Sequence, residues 1–154
     1  MLEHLERILS ANLILGLAVI AWFVAQVLKF IINLILHKKL DLELLLSSGG
    51  MPSSHSSFVC ACAVSIGRIE GFGSSLFALS VVLALVVMYD ACNVRRAAGE
   101  QARILNYIVE HWDKMSPAVV GEELKELLGH TPLQVLMGAL LGAFIGWFGV
   151  AWLG

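Results

Sequence analysis

Two histidine-bearing loops and a small set of cations hold the chemistry that this chain offers. Gly49, Gly50, Met51, Pro52, Ser53, Ser54 and His55 stand directly before an apolar helix. That arrangement presents backbone N–H groups, hydroxyls and the positive end of a helix to an anion, so it suits an oxyanion pocket. The plainer alternative is that Ser53 or Ser54 caps the helix while His55 rests at the membrane surface. Gly129, His130, Thr131 and Pro132 open a second apolar helix, with Gln134 one turn beyond His130 and within reach of its ring. A histidine held by a hydrogen-bond acceptor can serve as nucleophile or base; a histidine at a helix start can equally be without catalytic consequence.

Arg95 and Arg96 stand where a third apolar helix leaves the membrane, accompanied by Asp90, Asn93, Glu100, Gln101 and Asn106. Paired guanidiniums there can bind a phosphate bidentately, or they can snorkel to lipid headgroups. Lys29 is deep enough in the first apolar helix that leaving it unpaired in hydrocarbon would cost about 3 kcal/mol. Gln26 and Asn33, one turn to either side, extend it into a polar stripe. Its alternative is snorkelling toward His37.

The elements that must position these groups are hydrophobic helices. The mean hydropathy is +0.84, with 58% hydrophobic and 14% charged residues, which implies a lipid solvent. A net charge of -2 leaves no basic reservoir for nucleic acid, so that partner is excluded. Cys60, Cys62 and Cys92 fall inside apolar runs and act as small hydrophobes. The N-terminal residues Met1 to Ser10 lack a positive n-region, so the first apolar run is expected to stay in the mature protein.

The apolar runs are Ala11 to Leu36, Ser57 to Ile69, Ser74 to Ala91 and Leu133 to Leu153. The second is short for a crossing, and the third is expected to continue as helix through Asn93 to His111. A short amphipathic helix is expected over Glu122 to Leu128. The fold class is therefore all-α, an integral membrane bundle of about four transmembrane helices forming one domain over residues 1–154. Four crossings put both polar loops on one side. Lys38, Lys39, Arg103, Lys114 and Lys125 on that side, against Arg7 and Arg68 on the other, make it the cytoplasmic face of the cell membrane. A homodimer would cover the polar face that a lone bundle leaves exposed.

The order of lysine, Pro52-Ser53-Ser54-His55, arginine, then Gly129-His130-Thr131-Pro132 with Gln134, Val135 and Gly138 resembles the type-2 phosphatidic acid phosphatase superfamily. It is most similar to the divergent branch related to acid phosphatases and vanadium-dependent haloperoxidases, and the resemblance runs from Lys29 to Gly142. It implies that His130 attacks phosphorus to form a phosphohistidine and that His55 protonates the leaving oxygen. It further implies that Ser53 and Ser54 hold phosphate and that Lys29 with Arg95 or Arg96 neutralises it, without metal or cofactor. The implied activity is hydrolysis of a phosphomonoester or pyrophosphate on a phospholipid or isoprenoid. Three positions depart from the pattern. Ser54 replaces a glycine, Leu36 and His37 occupy the place of an Arg-Pro pair, and Gln134 stands where the superfamily has an aspartate behind the nucleophile. The last departure supports a rival reading, a non-catalytic protein that binds phosphorylated headgroups. Vanadate-dependent halide oxidation is a third, ranked lower because it usually belongs to soluble folds.

Overall fold

The computed structural model describes residues 12–38, 50–110 and 129–153. The expected helix over Glu122 to Leu128 and the cations Arg7, Lys39, Lys114 and Lys125 lie outside the described residues. Within them the chain is helical: α1 (Leu13–His37), α2 (Ser54–Glu70), α3 (Ser75–Cys92), α4 (Val94–Glu110) and α5 (Pro132–Leu153). Three stretches, Leu13–Leu36, Ser75–Val109 and Pro132–Leu153, are long and apolar enough to cross a membrane. The protein is an all-α membrane bundle.

Helix ends follow local chemistry. Asn12, Ser53 and Ser74 cap α1, α2 and α3, each side chain accepting an N–H three residues on. Pro132 occupies the first turn of α5, where its missing N–H costs nothing. The third apolar run continues as helix to Glu110, with a break at Asn93 separating α3 from α4. Gly50 has φ 90°, a conformation that favours glycine, and it leads the chain through Met51 and Pro52 into the cap of α2.

α2 begins at Ser54, three residues before its apolar run, and at 17 residues it is about 26 Å long. Its shortness has a structural answer. α2 packs against α1, α3 and α5, so most of its length is lined by protein. Its serines accordingly find partners inside the bundle: Ser56 Oγ donates to Ser53 Oγ at 3.0 Å, and Ser57 Oγ donates to the Ala21 carbonyl of α1 at 3.1 Å.

The tightest seam joins α2 and α5. Gly138, Gly142 and Gly146 face Ser53, Ser57, Ala61 and Ser65 at matching four-residue intervals. A Cβ on Gly138 or Gly142 would fall onto the carbonyl oxygen of Ser53 or Ser57, and one on Gly146 would come within 2.6 Å of the Ala61 carbonyl. Small residues therefore let the backbones meet, as in small-xxx-small helix pairs in lipid. The contact order shows that α2 and α5 run parallel. Ala21 meets Ser57 while Leu17 meets Gly149, so α1 runs antiparallel to both.

Candidate active site

His130 lies where three helices are tied together. Its backbone N–H donates to the Ala91 carbonyl at the end of α3, at 3.0 Å. Ser53, the cap of α2, donates its N–H to the Gln134 carbonyl in the first turn of α5, also at 3.0 Å. Gly129 presses on the backbone of Arg96, with space for a Cβ closed by Arg96 Cα at 2.8 Å and the Ala91 carbonyl at 2.9 Å. The N-terminal ends of α2, α4 and α5 thus gather around one point, and each brings a partial positive charge. The helix starts that follow the two polar loops therefore meet at one place.

The ring of His130 is 2% exposed, and its orientation is set within α5. Thr131 Oγ1 accepts from the Gln134 N–H at 3.3 Å, and Gln134 Oε1 accepts from the Thr131 N–H at 3.0 Å. This reciprocal pair is a capping box. His130 Nδ1 stands 3.2 Å from the same Oε1. Because the Thr131 N–H can only donate, the amide atom it meets must be the oxygen, and an oxygen can receive only a proton from Nδ1. The neutral ring therefore carries its hydrogen on Nδ1 and its lone pair on Nε2. That is the tautomer a nitrogen nucleophile needs.

Lys29 is 1% exposed and shares the inward stripe of α1 with Ala18, Ala21 and Ala25. Eight residues beyond Ala21, it lies about 12 Å further toward the polar face, and the antiparallel register sets it level with Gln134. A buried lysine thus lies at the depth of the first turn of α5. Ser54 is buried in the first turn of α2. Ser53 is already committed as cap and as donor to Gln134, so its hydroxyl proton is what it retains for an anion. Arg95 and Arg96 occupy the first turn of α4, and the Arg96 side chain is exposed. Glu100 pairs with Arg103 along α4 at 3.1 Å, an exposed contact worth little. Among the described residues no three His, Cys, Asp or Glu side chains cluster to hold a metal.

His55 is the residue the structure sets apart. It is exposed and lines a groove with Val19 and Trp22 of α1 and Val87 of α3. Ser53 and Ser57 turn toward α5, and residues two apart on a helix do not share a face. The His55 ring therefore opens on the side of α2 away from α5. Two contributors escaped the sequence reading although their signals are plain in it: the glycine spacing of α5 and the Thr131-x-x-Gln134 capping pattern.

An all-helical fold with three apolar spans and helix N-termini converging on a buried histidine defines an integral membrane helix bundle. The chain belongs to the divergent PAP2 family, whose model matches residues 10–145. A relative from Bacillus subtilis (strain 168), named as an uncharacterized membrane protein, YuiD, is 40% identical over 151 residues, which span 92% of this chain and 94% of that protein. No solved structure matches.

Proposed function

We propose that this protein hydrolyses a phosphomonoester or pyrophosphate carried by a membrane phospholipid or isoprenoid, through a phosphohistidine on His130. The observation that carries this reading is the shared Gln134 oxygen, which orients the His130 ring and places its lone pair on Nε2. Nε2 bonds to phosphorus as the bond from phosphorus to the leaving oxygen breaks, and that oxygen takes a proton from water, which is returned when the phosphohistidine is hydrolysed. Water then attacks the phosphohistidine, releasing phosphate and restoring the imidazole. Lys29, Ser53, Ser54 and Arg95 or Arg96, with the helix ends, supply positive charge and donors to the phosphate oxygens, whose charge is spread in the transition state.

Burial of His130 favours the second reading, headgroup binding without turnover, because a phosphate reaching Nε2 must displace what packs over the ring. Phosphate release from a panel of lipid phosphates by purified protein separates the two. Release that disappears in His130→Ala supports hydrolysis; binding without release supports the alternative. The site is assigned to the cytoplasmic face. In a cysteine-free background, an impermeant maleimide applied to intact cells should label a cysteine replacing Gly73, an exposed turn position, and spare one replacing the exposed Arg103. The reverse pattern would invert the assignment.

A further inference from the structure

The helix bundle is open on one side. α1 and α3 each pack on α2, yet among the described residues their backbones do not come within 8 Å of each other, Cα to Cα. The gap between them is a groove of about 360 Å³ along the outer face of α2. Val19 and Trp22 form one wall, Phe58 and Val59 the floor, and Val87 the other wall. His55 is the polar member of this lining, one turn before Val59 and in the first turn of α2. The groove thus runs from hydrocarbon-like walls to an ionisable ring beside the positive end of a helix.

That order of chemistry, apolar along its length and cationic or hydrogen-bonding at the end nearest the membrane face, complements a hydrocarbon chain that ends in an anionic headgroup. We infer that the groove seats one chain of a phosphate-bearing membrane lipid, with its headgroup at His55. Resting on the proposed lipid phosphatase, this makes the groove the chain subsite. The same turn of α2 that presents His55 outward presents Ser53 and Ser54 inward, so a headgroup passing around that turn moves from the bilayer toward His130. His55 is then a positioning residue for lipid, and Val59 sets the depth available to the chain.

The test uses the full chain in nanodiscs of phosphatidylcholine, doped with a non-hydrolysable phosphonate analogue of phosphatidate bearing a diazirine on one chain. Photolysis and peptide mapping should concentrate label on the segments holding Trp22 and Phe58. The excess over Leu79 and Leu83, on the exposed face of α3, should be about threefold, the scale one screened charge contact supports. The matching phosphatidylcholine probe should show no such excess. His55→Ala should remove the headgroup preference, and Val59→Phe should reduce labelling of the groove with either probe. Even labelling of all lipid-facing segments, as when bulk lipid or a second copy fills the gap, overturns the proposal, as does groove labelling indifferent to headgroup. Labelling reads no turnover, so its outcome stands apart from that of the phosphate-release assay. Where turnover is measured, His55→Ala should raise KM for long-chain lipid phosphates about threefold with kcat largely kept. A fall in kcat at constant KM would instead identify His55 as the proton donor and overturn the positioning role.

Discussion

The two sides of α2 contrast in what surrounds them. Toward α5, Ser53, Ser57, Ala61 and Ser65 meet glycines at backbone contact, and every polar group in the first turns is tied to a neighbour or held in the interior. Toward the gap between α1 and α3, His55, Phe58 and Val59 face an open groove. The first side holds atoms in place, which a reaction requires; the second leaves room, which a long flexible molecule requires. One helix can serve both because its faces repeat every three to four residues, so neighbours in sequence enter different environments. The two loop histidines fall on opposite sides of this division.

The largest expected effect is at the closed junction. His130→Ala removes the group proposed to attack phosphorus, and turnover of an aryl phosphate should fall by about a thousandfold or more, measured as phosphate release. Wild-type release from that variant would break the assignment of chemistry to this side. Next is the seam itself. Gly142→Leu would drive a side chain into the Ser57 carbonyl, and separating the two helices should cost about 3 kcal/mol, seen as a lowered thermal midpoint in detergent. A midpoint unchanged by that substitution would show that the seam is looser than its geometry implies.

Gln134→Glu sharpens the comparison further. A glutamate preserves the capping box and adds charge behind the imidazole, so the rate should rise about tenfold, equivalent to about 1.4 kcal/mol of support for the cationic ring. Slower phosphate release would mean that the neutral amide is required. The smallest effect is expected at the far end of the bundle. There the Arg68 guanidinium donates to the Trp147 carbonyl and lies 4.6 Å from the centre of its ring, which stacks on Phe72. Arg68→Ala should lower stability by about 1 kcal/mol while phosphate release persists, since this cluster binds α2 to α5 without touching the site.

Local order was legible in the chain and long-range order was not. The apolar runs locate α1, α3 and α5, because a helix in lipid must satisfy its own backbone and its length must match the hydrocarbon. The His130 and Gln134 pair was likewise readable, because a four-residue spacing on a helix imposes contact whatever the rest of the fold does. Even the glycine and serine repeats of the seam stand in the sequence, although a repeat does not name its partner.

Only the tertiary structure decided which groups those local elements bring together. Lys29 could have snorkelled to the surface; the parallel packing of α2 and α5, with α1 antiparallel to both, buries it level with Gln134 instead. His55 could have faced either side of α2, and it faces the groove because the seam with α5 claims Ser53 and Ser57. The gap between α1 and α3 has no counterpart in any run of residues. The physical reason is the same in each case: hydrophobicity fixes how deep a segment sits in the bilayer, while rotation about the helix axis is set by which neighbour can approach closest.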